Sequence, residues 1–170
     1  MRFETVPLAE VLSKAVEIDE GTRRRPIGQN GSRRSKRVLV VDDERVIADT
    51  LGTILGSSGY EAAVAYDAPS ALKQCEVVNP ELVITDVIMP GMDGVEMAML
   101  ICERHPACKI LLISGQASTT NLLEKARRRG YDFELLAKPI HPTDLLSRLA
   151  TIEDGSDLNH QRRHLPASAL

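Results

Sequence analysis

From residue 37 onward, short unbroken apolar runs alternate with stretches whose apolar residues recur every three or four positions. The runs are short, rich in Val, Ile and Leu, and lack polar alternation, which predicts strands buried on both faces. They place strands over 37–42, 61–65, 82–86, 109–113 and 133–137. The first intervening stretch carries Val46, Ile47, Leu51, Ile54 and Leu55 on one helical stripe and stops at Ser57-Ser58-Gly59. The second opens at Asp67, whose side chain can take an orphan amide at the helix start, and stops at Asn79-Pro80. Helices are predicted next over 94–104, ending at His105-Pro106, and over 119–129, ending at Gly130. A last helix begins near Pro142 and ends around Ala150. Five strand-helix repeats predict an α/β domain, residues 37–150, with a parallel sheet covered by helices on both faces.

The ends of the chain read differently. Leu8, Val11, Leu12, Ala15 and Val16 predict a short amphipathic helix over 7–18, with Pro7 at its start. Residues 19–36 are rich in Gly, Arg, Ser, Asn and Gln without an apolar period, so residues 1–36 are read as an N-terminal extension of helix plus basic linker. Residues 151–170 are read as a disordered tail. Charge follows the same division: 1–37 holds nine Lys/Arg against five Asp/Glu, and 38–150 holds ten against sixteen. No apolar stretch reaches the ~18 residues of a membrane span, and the five acidic residues among the first twenty argue against a secretory signal. The expectation is a soluble, cytoplasmic protein. Cys75, Cys102 and Cys108 show no metal spacing and are read as buried free thiols of a reducing compartment.

Three of the apolar runs end on charge. Val38-Leu39-Val40-Val41 leads into Asp42-Asp43-Glu44, Leu82-Val83-Ile84-Thr85 into Asp86, and Ala137 into Lys138-Pro139. In an open parallel sheet, functional groups gather at the carboxyl edge of the strands. Three carboxylates and one ammonium should therefore meet at one rim. Carboxylates that close repel, and a hard divalent cation such as Mg²⁺ relieves this by taking oxygen ligands. Asp43 and Asp86 are the candidates for direct ligation, Asp42 for ligation through a water, and the carbonyl of Ile88 can complete the set. Asp86 can also act as a nucleophile towards phosphorus, forming an acyl phosphate, with Mg²⁺ and Lys138 neutralising charge. Ser114 at the end of the fourth strand can hydrogen-bond a phosphoryl oxygen, and Gly115 leaves room for the anion. A cis Lys138-Pro139 bond would aim the ammonium back into the rim.

Asp42-Asp43, the segment Asp86-Val87-Ile88-Met89-Pro90-Gly91-Met92-Asp93-Gly94, Ser114-Gly115 and Lys138-Pro139 together resemble the receiver domain of two-component response regulators, of the stand-alone, chemotaxis-regulator-like kind. The resemblance covers about residues 36–150. It implies a flavodoxin-like (CheY-like), doubly wound five-stranded parallel sheet of order 2-1-3-4-5. It implies phosphorylation of Asp86 by a sensor histidine kinase, a Mg²⁺ site at Asp42, Asp43 and Asp86, and a switch that moves Ser114 and an aromatic of the fifth strand. The chain departs from that pattern at Leu135, which stands where the family carries Phe or Tyr. Gly130 to Lys138 is one residue longer than usual, so the switch runs through Leu135 or through a displaced Phe133. An apolar Ile88, with Gln116 at the other flank, implies slow self-dephosphorylation.

The expected function is a phosphoacceptor, not an enzyme in its own right, that changes protein contacts or passes phosphate to a downstream target or a histidine phosphotransfer protein. Two other readings stand beside it. A phosphatase-like hydrolase of this topology would need a capping insertion and a second acid near the nucleophile, and the loops are short. A phosphorylation-independent binding module would act through the N-terminal extension, whose helix can dock on a kinase or on a second copy in a homodimer. The basic stretch Arg23, Arg24, Arg25, Arg33, Arg34, Lys36 and Arg37 has no aromatic partners, which disfavours nucleic acid. Met89, Met92, Met97 and Met99 are read as packing. His105, His141, His160 and His164 show no ligand spacing, and His141-Pro142 opens a helix.

Overall fold

A computed structural model describes residues 34–115 and 119–153. The expected leader helix at 7–18, the linker as far as Arg33, Gln116 and the tail from residue 154 lie outside the described residues. Five strands, β1 (Arg37–Val41), β2 (Glu61–Ala65), β3 (Leu82–Asp86), β4 (Lys109–Ser114) and β5 (Glu134–Ala137), form one parallel sheet of order β2-β1-β3-β4-β5. Each strand is followed by a helix: α1 (Arg45–Ser57), α2 (Ala68–Val78), α3 (Gly94–Arg104), α4 (Thr120–Arg128) and α5 (Pro142–Glu153). This is the doubly wound arrangement implied above, with the central strand β3 buried at all five positions.

Side chains alternate across the sheet, and the two faces build two cores. Leu39, Val41, Val83, Ile110 and Leu112 face α2, α3 and α4 and pack with Ala71, Cys75, Val95, Met97, Ile101 and Ala126. Val38, Val40, Ile84, Leu111 and Ile113 face α1 and α5 and pack with Leu51, Leu55, Leu145, Leu149 and Ile152. Burial of Ile152 extends α5 to Glu153, three residues past the predicted end of the domain, because its apolar side chain still has core to cover. All three cysteines are free and buried as expected. Burial pushes the Cys75 thiol up to about 11 and the Cys108 thiol up to about 12, so neither is a nucleophile at neutral pH.

Punctuation residues set the element ends. The Asp67 side chain accepts from the Ser70 amide at 2.7 Å and caps α2, as its sequence position suggests. Asn79 ends α2 in the left-handed region, at φ 48°, which asparagine tolerates better than most residues. Asp93 caps α3 through the Glu96 amide at 2.8 Å. Gly94 has a different task. A Cβ there would lie 1.9 Å from the carbonyl oxygen of Asp86, so only glycine lets α3 start against the end of β3.

Candidate functional site

β1, β3 and β4 are adjacent and parallel, so their carboxyl ends form one rim. Asp42 follows β1, Asp86 ends β3 and Ser114 ends β4. The register sets them side by side: Val41 pairs with Thr85, and Asp86 with Ile113. Asp42, Asp43 and Asp86 each offer an oxygen, and these oxygens lie within 4.8 Å of one another. They differ in setting. Asp42 is 1% exposed and Asp86 is 9% exposed, whereas Asp43 is open to solvent. The Asp42 carboxylate also accepts from the Glu44 amide at 2.9 Å, which fixes the turn into α1.

Lys138 reaches this rim from the end of β5. Its Nζ donates to Asp42 Oδ2 at 2.9 Å and to Asp86 Oδ2 at 3.1 Å. Its backbone amide donates to the Ser114 carbonyl at 2.8 Å, and the Lys138-Pro139 bond is cis. Burial by itself would lower the lysine, but the hydrogen bonds it donates to Asp42 and Asp86 and their negative charge outweigh it and hold the ammonium above its ordinary range. The three carboxylates and the ammonium therefore meet as the apolar-run endings predict. An all-oxygen set of three acidic groups at one edge fits a hard divalent cation such as Mg²⁺. Ile88, two residues past Asp86, is 39% exposed.

Ser114 is 5% exposed, and its Oγ lies 2.5 Å from Thr119 Oγ1, itself 3% exposed. Reasoning from sequence missed Thr119. Its position just before α4 marks a helix start and gives no sign that the hydroxyl turns back to β4. Gly115 faces Lys138: a Cβ there would lie 3.5 Å from Lys138 Cβ, an ordinary contact, so steric demand alone does not require glycine. Of the two switch candidates, Leu135 pairs with Leu112 on β4 and is 40% exposed. Phe133 is 6% exposed and stacks on Tyr131 with ring centroids 5.7 Å apart. Phe133 is thus a core residue, and Leu135 is the one that meets solvent.

A family model described as "response regulator receiver domain" matches residues 38–150. The chain is 33% identical over 132 residues to the chemotaxis protein CheY of Treponema pallidum, covering 76% of this chain and 90% of that protein. It is 32% identical over 111 residues to the nitrogen assimilation regulatory protein NtrX of Azorhizobium caulinodans, covering 64% of this chain and 24% of that protein. The crystal structure of response regulator TrrA from Thermotoga maritima, in complex with Mg²⁺ and BeF, superposes with a TM-score of 0.60 at 32% identity, covering 69% of this chain and 98% of that one. The chain spans about a quarter of the NtrX relative and about half of several transcription regulators that it matches. Among the described residues no helix is long and apolar enough to cross a membrane.

Proposed function

The chain belongs to the response regulator receiver domain family, and on that premise we propose that Asp86 is its phosphoacceptor, charged by a sensor histidine kinase. A carboxylate oxygen of Asp86 attacks phosphorus, the phosphorus–nitrogen bond to the kinase imidazole breaks, and the bonding electrons return to the imidazole nitrogen. The observation that carries this reading is the double engagement of Lys138 Nζ by Asp42 and Asp86, within a group of three converging carboxylates. A cation is already stationed where negative charge would accumulate, and phosphoryl transfer asks the protein for positioning and charge neutralisation above all.

Each residue then has a role. Asp43 and Asp86 would hold Mg²⁺, with Asp42 contributing through a water and Ile88 through its carbonyl. When bound, the ion supplies charge neutralisation at the phosphoryl oxygens. Lys138 exchanges one carboxylate contact for a phosphoryl oxygen. Ser114 donates its hydroxyl to another. The apolar Ile88 offers no group to orient a hydrolytic water, so the acyl phosphate lasts. Ser114 and Leu135 form the switch, and the output is a change of protein contacts or onward transfer to a histidine phosphotransfer protein.

Intact-mass measurement with acetyl phosphate and Mg²⁺ tests the reading. The wild-type chain should gain one phosphoryl group, and Asp86→Asn should gain none. Removal of the metal with EDTA should suppress the gain. A gain that survives Asp86→Asn would place the acceptor elsewhere.

A further inference from the structure

We propose that a cleft at the amino edge of the sheet binds a small organic carboxylate through Arg37 and His105. The inference stands apart from the reading of Asp86. Asp86 ends β3 at the carboxyl edge, and the cleft lies at the other end of that strand, about 17 Å of extended chain away. Three pieces of chain wall it: Arg37, which opens β1, the loop 79–81 before β3, and the loop 105–108 before β4. The space between them is about 320 Å³, at the lower end of the range for small-molecule sites.

Two buried donors carry the argument. The Arg37 side chain is charged, yet only 14% exposed. Its Nε donates to the Asn79 carbonyl at 3.0 Å, and Nη2 lies 3.9 Å from Glu81 Oε2. That carboxylate oxygen already accepts from the Arg37 backbone amide at 2.9 Å. Arg37 Nη1 is buried and has no hydrogen-bond partner among the described residues. Nε2 of His105 is likewise buried and without a partner there, on a side chain 17% exposed. Glu76 Oε1 lies 3.6 Å from it, outside hydrogen-bond reach. Natural chains leave few buried donors without an acceptor, because each has lost its hydration for nothing in return. Two that line one cleft call for an occupant that accepts.

The surroundings narrow that occupant. Nη1 presents two N–H groups in the plane of the guanidinium, a geometry that matches carboxylate oxygens, and the Nε2–H tautomer of His105 donates as well. Arg37 and Arg104 stand with Glu81 and Glu76 around the cleft, so formal charge is balanced there. A singly charged carboxylate therefore meets less repulsion than a dianionic phosphate. Burial pushes the Cys108 thiol up to about 12, so it adds no negative charge. Pro80, Pro106 and Ala107 give the walls an apolar part that suits a short hydrocarbon body. The two proline rings also restrict the loops that carry the donors. His105 shows no ligand spacing in the sequence, and Arg37 reads there as the end of a basic leader. Parallel strands with matched starts bring them to one edge.

Amide NMR titration of the full chain at neutral pH and constant ionic strength tests the inference. Sodium acetate, propionate and butyrate are the probes, with sodium chloride and sodium phosphate for comparison. Butyrate should shift the amides of residues 37, 79, 81, 105, 107 and 108 along one saturable curve, half complete below about 10 mM. Affinity should rise from acetate to butyrate, and the amides of 42, 43 and 86 should stay in place. Arg37→Lys keeps the charge but loses the fork, and His105→Phe keeps a ring but loses Nε2. Each should weaken butyrate binding about tenfold, the effect of one hydrogen bond to a charged group. Should one variant fail to fold, the other decides. The inference is overturned if no carboxylate gives a saturable shift or if chloride gives the same one. It is equally overturned if phosphate binds more tightly than butyrate, or if butyrate binds the folded variants as it binds wild type. None of these outcomes bears on Asp86 as acceptor, which the mass measurement tests separately.

Discussion

Helices α3 and α4 cover the same face of the sheet and are held to it very differently. Seven residues of α3 are buried: Gly94, Val95, Met97, Ala98, Met99, Ile101 and Cys102. Its start is capped by Asp93 and pressed against the carbonyl of Asp86 at Gly94. In α4, Ala126 is buried and Leu122 and Leu123 are partly so, while its last turn carries Lys125, Arg127 and Arg128. At roughly 25 cal/mol for each Å² of apolar surface removed from water, the difference amounts to several side chains' worth of anchoring. The proposed acceptor thus sits at the end of a fully buried strand backed by a well-buried helix, and the neighbouring helix is anchored by less apolar surface.

Substitutions that cross this division should sort by size. Gly94→Ala should cost about 3 kcal/mol or more, because the added carbon meets backbone that cannot step aside. Gly115→Ala, whose Cβ finds only ordinary contact with Lys138, should stay within about 0.5 kcal/mol. Urea denaturation of the two variants measures the contrast directly. Ile101→Ala, which empties a fully buried site in α3, should cost about 2–5 kcal/mol. Leu122→Ala in α4 should cost under about 1.5 kcal/mol in the same assay, since its side chain is only partly buried. Equal losses at the two sites would erase the distinction between the helices. Asp93→Ala removes the α3 cap and should cost about 1 kcal/mol, with faster amide exchange confined to the first turn of α3.

The rigid half of the molecule was legible from sequence, and the reason is physical. An apolar run that ends on a charged residue fixes both the strand and the edge at which the charge stands, so Asp42, Asp86 and Lys138 could be brought together before any coordinates. Element ends were less legible. β1 closes at Val41, β4 runs to Ser114 and β5 opens at Glu134, and α5 continues to Glu153 because Ile152 finds core to cover. The α4 side was legible only in part. Apolar spacing marks which face of α4 is inward, but how deeply that face is buried depends on the helix's approach to the sheet. The Ser114–Thr119 contact depends on the path of the chain between β4 and α4, which no local pattern encodes. Which of Leu135 and Phe133 is buried was not legible for the same reason: Phe133 stacks on Tyr131, and Leu135 is exposed.

Chemical trapping of the acyl phosphate tests the central claim most directly. Borohydride reduces an aspartyl phosphate to homoserine, and peptide mapping then locates the converted residue. After treatment with a phosphorylated histidine kinase and Mg²⁺, homoserine should appear at position 86 and should be missing when phosphoryl donor is withheld. Homoserine at Asp43 or at any other carboxylate, with Asp86 intact, would contradict the account.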